Sequence, residues 1–544
     1  MAGASGVSLV LKALKLHSSN PTLQGVACDT LGNLLQEESN AEQFLRLQGV
    51  DAVFAVVRDN LANTRVMEAA CFLLGNVASS EEGLRRIAAN GGGNVTLEII
   101  KTHQQDTDLL RELLFLISNM AQSPQLKASM CKSGTIEAVT GVMTSHMESS
   151  ELQAMGCSAL SNILAPSSTA NSPDVPVASQ VIEEAIAAII LSLKRHPGDP
   201  SVVRRAASAI ASLGALRPPL PALVRSLEVL SALTESGRCV LKSADTDSQA
   251  LVQIMRCLET LADFPENRDL MMKTESRVFQ FAISVTQGPA ARPLPVSRTL
   301  SLVAKLTEMS DVGGNFVALP EGKALELVNN ALGQYWNHPS VVIPACTIIA
   351  ALAKENAQED VPSNNGESSK MWSRAMAGLL KATRARPSDV AVAVSAFVAL
   401  AWTCEHKLRP NVSEVTDLMG AFVMVMRAHP READVAESAC FMFSAVVKTS
   451  NEQVRIQVAK SGAPLLVVMV LRHFCDAEGD VQPVLRRAVN AIRVVVAQDT
   501  SLAGAVRLAG APDALRSIIS RYPESQGLAK ACRAALHTVE GDLL

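Results

Sequence analysis

One short phrase recurs at a fixed interval in this 544-residue chain, and the interval constrains the fold more than any other feature. The phrase reads ACDTLGNLL at 27–35, ACFLLGNVA at 70–78, LLFLISNMA at 113–121 and GCSALSNIL at 156–164. Its asparagine falls at positions 33, 76, 119 and 162, so each step is 43 residues. A constant step of this length is typical of repeat proteins, in which one small unit is stacked many times.

The segment 20–60 shows what one unit contains. Apolar residues at 23, 27, 31 and 34 follow the spacing of one helical face, and Asn20-Pro21 before them is a helix start signal. Two shorter helices are predicted at 40–48 and 50–60, separated by a turn at Gly49. Further long helices are predicted to begin near Asn63, Asp106, Ser150, Asp199, Gln249, Val296, Pro339, Ser388, Ala433, Gly479 and Gln526. The pattern therefore predicts an all-α protein of about 12 helical repeats.

Composition agrees with this fold class and disfavours several functions. Hydrophobic residues make up 48% of the chain and aromatic residues only 3%, which favours closely packed helices over sheets. The net charge of -4 provides no basic field for a nucleic acid. The longest apolar run, 463–471, is shorter than the roughly 18 residues that span a bilayer. We expect no nucleic acid partner, no membrane span and a cytoplasmic location, with nuclear or ciliary and flagellar locations as alternatives.

Cysteine and histidine also follow the repeat. Six of the eleven cysteines share one register, which predicts a column of small buried side chains: Cys28, Cys71, Cys157, Cys346, Cys440 and Cys532. Six of the nine histidines fall where the last helix of a unit ends: His17, His103, His146, His196, His338 and His429. At this position a histidine interacts favourably with the C-terminal end of the helix dipole. Repeats stacked ~8–10 Å apart would hold these histidines too far apart to share a metal ion. We expect neither a metal nor a cofactor.

A three-helix unit with a glycine between its shorter helices and an A-x-x-x-L-x-N phrase in the long one resembles the armadillo repeat. The resemblance rests on the four asparagines and on Gly49, Gly92, Gly134, Gly462 and Gly510. It implies a right-handed α-solenoid of armadillo/HEAT-like repeats with the long helices lining a concave groove. In family members the groove holds an extended peptide, whose backbone bonds the Asn column and whose side chains pack on a Trp one turn earlier.

The aromatic position departs from the family pattern. Asp29, Phe72, Phe115 and Ser158 stand where the tryptophans stand, so the chain is not a close match to the importin alpha type. Phe72 and Phe115 are expected to offer a smaller apolar surface for the side chains of the peptide. The Asn column ends after Asn162, and the aligned later positions hold Ser212, Thr260, Lys305, Ala351, Trp402 and Ala445.

Two roles for the Asn column are left open by the sequence. Asn33 lies about 200° around its helix from Leu31, so it is predicted to point away from the core and towards a groove. Its amide suits the alternating N–H and C=O groups of an extended peptide of about nine residues. Alternatively, each Asn bonds the backbone of the neighbouring repeat. The predicted peptide-binding residues are Asp29, Asn33, Phe72, Asn76, Phe115, Asn119 and Asn162.

The repeat chemistry divides the chain into three predicted segments. They are N-terminal armadillo repeats with the Asn ladder (1–196), degenerate armadillo/HEAT-like repeats (197–338) and C-terminal armadillo-like repeats (339–544). Polar segments at 166–179 and 356–370 are predicted to be inserted loops. No catalytic motif of the HExxH, GxSxG, HRD or DFG type occurs. We expect a non-enzymatic scaffold for a protein or extended peptide partner; alternatives are a structural subunit of a ciliary or cytoskeletal assembly and a regulatory subunit of an enzyme complex.

Overall fold

The computed structural model describes residues 6–165, 177–215, 223, 226–243, 247–273, 277–287, 292–308, 321–355, 366–477, 480–498 and 500–540. These ranges contain thirty α-helices and no strand. The chain divides into two compact units, Met1–Phe281 and Ala282–Leu544. The all-α class predicted from the repeat pattern is confirmed.

The helices of the first unit follow one another along the chain. They are α1 (Gly6–Leu16), α2 (Pro21–Leu34), α3 (Glu38–Arg46), α4 (Gly49–Asp59), α5 (Thr64–Val77), α6 (Glu81–Ala89), α7 (Gly92–Thr102), α8 (Thr107–Met120), α9 (Pro124–Ser133), α10 (Thr135–Ser145), α11 (Ser150–Leu164), α12 (Ser179–Arg195), α13 (Pro200–Gly214), α14 (Leu227–Lys242), α15 (Ser248–Leu261) and α16 (Pro265–Met272). The division between the units falls within α17 (Val278–Gln287).

The second unit continues with thirteen helices. They are α18 (Pro293–Glu308), α19 (Glu321–Tyr335), α20 (Pro339–Glu355), α21 (Glu367–Ala385), α22 (Val390–His406), α23 (Val412–Ala428), α24 (Ala433–Thr449), α25 (Glu452–Lys460), α26 (Ala463–Cys475), α27 (Gln482–Gln498), α28 (Thr500–Leu508), α29 (Ala511–Arg521) and α30 (Gln526–Glu540).

Twelve of these helices begin within three residues of the predicted repeat starts, and we call them the main row: α2, α5, α8, α11, α13, α15, α18, α20, α22, α24, α27 and α30. In the first unit each main-row helix packs against the next from α2 to α15, and in the second unit from α18 to α30. We call the remaining helices flanking helices. The prediction of about twelve helical repeats is confirmed, with the stacking described within each unit.

The residue before each early main-row helix explains why the helix starts there. The side chains of Asn20, Asn63 and Asp106 accept hydrogen bonds from backbone N–H groups three residues further on, at 3.2, 3.2 and 3.1 Å. Such caps satisfy N–H groups that have no partner inside the helix. The same residue types therefore set the repeat boundary three times in succession.

The turn between the flanking helices corrects part of the glycine prediction. Gly134, Gly462 and Gly510 have the positive φ expected of a turn glycine, but the residues with positive φ in the first two repeats are Gln48 and Gly91. Gly49 and Gly92 are instead the first residues of α4 and α7. A Cβ on Gly49 would lie 2.3 Å from the Phe44 ring, and one on Gly92 would lie 2.4 Å from Ile87 Cγ2. These two glycines therefore serve close packing rather than the turn itself.

The number of flanking helices per repeat changes along the chain. Among the described residues, the three-helix unit predicted from 20–60 is present from α2 to α10, again at α15–α17 and from α24 to α29, whereas one flanking helix stands between two main-row helices at α12, α14, α19, α21 and α23. The loops predicted at 166–179 and 356–370 are shorter than expected, because Ser179 and Glu367 begin α12 and α21. Positions 166–176 and 356–365 lie outside the described residues.

The cysteine register is confirmed as part of the core. All six cysteines of the register are free thiols and buried. Burial is the main cause that raises the pKa of Cys28 and Cys157 to about 12. A thiol with so high a pKa is almost entirely protonated at neutral pH, and it behaves as a small apolar side chain.

An ion pair links three repeats of the second unit. Lys407, which is 8% exposed, donates from Nζ to Glu321 Oε2 at 2.9 Å, and Trp372 Nε1 donates to Glu321 Oε1 at 2.7 Å. Burial raises the pKa of Glu321, but hydrogen bonds from Lys407 and Trp372 outweigh it and the net pKa lies below the ordinary value of 4.5. The charged pair therefore stabilises the folded unit.

No single helix in the described ranges has the length and apolarity to cross a bilayer. α25 and α26 meet these criteria only as a pair, and they are bent by 59° where they join.

Candidate functional site

Four consecutive main-row helices carry the predicted peptide-binding residues. α2, α5, α8 and α11 present them at equivalent positions, and each of these helices packs against the next. Asn33 is exposed, whereas the other predicted residues are partly buried: Asp29, Phe72, Asn76, Phe115, Asn119 and Asn162. The structure thus brings the predicted residues into one column on adjacent helices.

The asparagines make hydrogen bonds between repeats. Asn76 Nδ2 donates to the carbonyl of Gly32 at 3.0 Å, and Asn119 Nδ2 donates to that of Gly75 at 3.1 Å. Asn162 Nδ2 donates to both the carbonyl and the hydroxyl of Ser118, at 3.0 and 2.9 Å. Each acceptor is the residue just before the Asn of the preceding repeat. The stacking role that the sequence left open is therefore present.

Some polar atoms of these amides take no part in the bonds between repeats. Asn33 makes no side-chain hydrogen bond within residues 6–165, in contrast to Asn76. The Oδ1 atoms of Asn76 and Asn119 also have no partner within those residues. Since Nδ2 is held by the preceding helix, the plane of each of these two amides is fixed while its acceptor stays unoccupied.

The aromatic residues also contact the preceding repeat. A Cβ on Gly32 would lie 2.6 Å from Phe72 Cε1, and a Cβ on Gly75 would lie 2.8 Å from Phe115 Cδ1. Each ring therefore rests where a glycine lacks a side chain. In the following repeat Ser158 replaces the aromatic, and the position of the glycine is taken by Ser118. Part of the surface of Phe72 and Phe115 is therefore buried against the preceding helix and is not available to a ligand.

Charged side chains on the same helices largely neutralise one another. Arg65 pairs with Asp29 and also with Glu68 at 3.0 Å. Arg111 forms ion pairs with three carboxylates, those of Asp108 at 3.3 Å, Glu112 at 3.2 Å and Glu151 at 3.7 Å. Burial raises the pKa of Asp29, and the charge of Arg65 opposes this. Both arginines are exposed enough that these pairs contribute little to stability.

The histidine register forms a second column of contacts between repeats. Nε2 of His103, His146, His196 and His429 lies 2.6–2.8 Å from carbonyl oxygens of the preceding repeat, those of Leu61, Gln104, Met147 and Pro387. A carbonyl accepts, so each Nε2 carries the proton. This contact is more specific than the dipole interaction predicted from the sequence. No group of three His, Cys, Asp or Glu side chains in the described ranges is arranged to hold a metal.

Sequence reasoning missed the acceptors of the Asn column. Gly32, Gly75 and Ser118 carry the contacts with the next repeat, yet they read as ordinary small residues within a helix. A signal was available, because a glycine or serine directly precedes every Asn of the ladder. A small residue at a fixed place in a repeated helix indicates close approach by a neighbour.

The stacked main-row helices, their capped starts and the hydrogen bonds between repeats define an armadillo-like α-solenoid. A family model described as Protein zer-1 homolog-like, C-terminal domain matches residues 5–194. Among curated proteins none matches the chain by sequence.

Two solved structures show how far the similarity extends. One comes from a study of a phosphorylation switch that controls the interaction between cadherin and beta-catenin; it is 14% identical, covers 98% of this chain and 100% of that chain, and has a TM-score of 0.56. An engineered protein from the Northeast Structural Genomics Consortium is 16% identical over 98% of each chain, with a TM-score of 0.40. The first likeness supports the armadillo-like fold.

Proposed function

We propose that the chain is a non-enzymatic protein-interaction scaffold that binds an extended peptide along α2, α5, α8 and α11. The proposal rests on the column of amide oxygens described above. Asn76 and Asn119 hold their amides in place by bonding the preceding helix, and each keeps an acceptor with no partner among the described residues. An acceptor that is already oriented loses little entropy on binding a peptide N–H group.

The spacing of the column suits an extended chain. Helices stacked ~10 Å apart place equivalent acceptors about three extended residues apart, at ~3.3 Å per residue. One N–H group in every three would then meet an asparagine, and the side chains between them would lie over Phe72 and Phe115. Recognition of this kind reads the peptide backbone more than its sequence.

Asn33 provides the cleanest test, because it makes no stacking bond within residues 6–165. We would select binders from a library of random 12-residue peptides against the full chain, label the tightest with fluorescein and measure its affinity by anisotropy. Loss of one hydrogen bond, worth about 1 kcal/mol, is expected to weaken binding about fivefold in Asn33→Ala. The thermal unfolding of this variant is expected to match that of the wild type.

Asn94 on α7 supplies a matched control, because it is an exposed asparagine on a flanking helix. Asn94→Ala should leave the affinity unchanged. If Asn33→Ala and Phe115→Ala both bind the selected peptide as tightly as the wild type, the column is a stacking device only and the proposed site is wrong.

A further inference from the structure

An aromatic pair occupies the main row of the second unit, away from the Asn column. Trp402 on α22 and Phe441 on α24 are partly buried and meet edge to face, with ring centroids 5.4 Å apart. Lys354 Nζ on α20 lies 4.9 Å from the Trp402 ring centroid, and Arg487 Cζ on α27 lies 4.5 Å from the Phe441 centroid. We call Lys354, Trp402, Phe441 and Arg487 the aromatic strip; it crosses four consecutive main-row helices.

The cations of the aromatic strip are paired with fewer carboxylates than Arg65 and Arg111 of the first unit. A cation over a ring is held by the ring quadrupole, which carries no net charge and so does not neutralise it. Within the described residues Lys354 forms no ion pair and Arg487 forms one, from Nε to Glu437 Oε1 at 3.6 Å. Arg65 and Arg111, in contrast, each face at least two carboxylates.

Further positive charge adjoins the strip. α27 carries Arg486, Arg487 and Arg493 and no acidic residue. Arg486 reaches towards the next main-row helix, where its Nη2 would lie 3.7 Å from a Cβ on Gly527. Lys530, one turn further along α30, is exposed. The positive surface thus continues onto one more main-row helix, α30, in a chain whose net charge is -4.

The rings are positioned to hold cations rather than to stack on a ligand. The imidazole of His406 stacks on Trp402 with a centroid distance of 5.4 Å and an interplanar angle of 17°. With Lys354 also over this ring, little of its face is left for another aromatic group. Recognition at the strip is therefore electrostatic.

We propose that the aromatic strip, with Arg486, binds an extended acidic segment of a partner protein. Four helices ~10 Å apart span about 30 Å, or about nine extended residues. Carboxylates on alternate residues would meet the cations along this length. Glu437 and Asp480 line the same depression as Arg486 and Arg487, and they would repel the unbroken charge of a nucleic acid more than spaced carboxylates. This surface is independent of the Asn column.

A synthetic probe tests the proposal on the full chain. It is a fluorescein-labelled 12-residue peptide of alternating Glu and Thr, compared with the same peptide in which Gln replaces Glu. Anisotropy at low salt is expected to give at least tenfold tighter binding for the Glu peptide, and the difference should shrink as salt is added. Arg486→Gln/Arg487→Gln should weaken binding of the Glu peptide about tenfold. Arg374→Gln/Arg427→Gln, which alters two exposed arginines on flanking helices α21 and α23, should leave it unchanged.

Charge reversal separates recognition from misfolding. Arg486→Glu/Arg487→Glu is expected to lose the Glu peptide and to gain binding of a Lys-for-Glu peptide, which a misfolded chain would not do. The proposal is overturned if the control pair weakens binding as much as the strip pair, or if the Glu and Gln peptides bind equally. It is also overturned if a 12-nucleotide single-stranded DNA or phosphatidylserine vesicles bind the strip more tightly than the Glu peptide.

Discussion

The contact between Gly75 and Phe115 makes a quantitative prediction about how the repeats are held together. A Cβ on Gly75 would lie 2.8 and 2.9 Å from two ring carbons of Phe115, well inside the usual carbon separation of about 3.5–4.0 Å. Alanine favours a helix over glycine by about 1 kcal/mol, whereas displacing a packed ring costs about 1–3 kcal/mol. We therefore expect Gly75→Ala to destabilise the first unit by about 1 kcal/mol net.

The same substitution should reverse its effect once the ring is removed. In a Phe115→Ala background the methyl group added by Gly75→Ala meets no ring, and only the gain in helix propensity remains. Gly75→Ala is then expected to stabilise α5 by up to about 1 kcal/mol. The coupling energy between the two positions is accordingly about 2 kcal/mol, as for side chains in direct contact.

Hydrogen exchange measured by mass spectrometry on peptides from α5 and α8 reports this coupling locally. Gly75→Ala should speed exchange about fivefold in the wild-type background and slow it in Phe115→Ala, since 1.4 kcal/mol corresponds to a factor of ten. Gly141 on α10 is a matched control because nothing lies within 4 Å of its Cβ position. Gly141→Ala should slow exchange of α10 in both backgrounds. If Gly75→Ala has the same sign and size in both backgrounds, the ring does not rest on the glycine.

Three further results are expected. Asn119→Ala should destabilise the first unit by about 1 kcal/mol in thermal unfolding followed by circular dichroism, because the carbonyl that it bonds loses its partner; an unchanged unfolding temperature would contradict the stacking role. Glu321→Gln should destabilise the second unit by about 3 kcal/mol, since it removes the carboxylate that accepts from the buried ammonium group of Lys407. The pKa of Glu321 is lowered on folding, so its stabilisation is complete above pH 4.5 and is lost as the pH falls through the lowered value; tryptophan fluorescence should show that Glu321→Gln lacks this acid-dependent loss. Iodoacetamide at pH 8 should modify the partly exposed Cys131 and Cys239 first, as mass spectrometry of the native chain can verify. Early labelling of the buried Cys28, Cys71 or Cys157 would contradict this prediction.

The repeat architecture was predictable because its signals are local. Cap residues such as Asn63 and Asp106, followed by apolar residues at helical spacing, determine where a helix begins and which face is buried. Twelve starts could therefore be located without any knowledge of how the helices pack. The positive φ of Gln48 was missed because local signals favour the neighbouring Gly49 as the turn residue. Gly49 is instead required by its close contact with the Phe44 ring, one position after the turn residue.

Contacts between repeats could not be read in this way. The bond from Asn76 to the carbonyl of Gly32 joins residues 44 apart, one more than the repeat. That extra residue is set by how one helix is shifted and rotated against the next, which no single helix encodes. The aromatic strip was equally hidden, because Trp402 reads as one departure from an Asn column until Lys354 and Phe441 are placed around it.

A residue repeated at a fixed step cannot by itself distinguish stacking from binding, because both roles demand the same side chain at the same place in each repeat. Asn33 breaks this equivalence. It makes no stacking bond within residues 6–165, yet it is the same residue type that Asn76 and Asn119 use for stacking. If stacking were the sole role of the column, this exposed asparagine would serve no contact within the described residues. Asn33 therefore provides both the strongest reason to expect a ligand and its sharpest test.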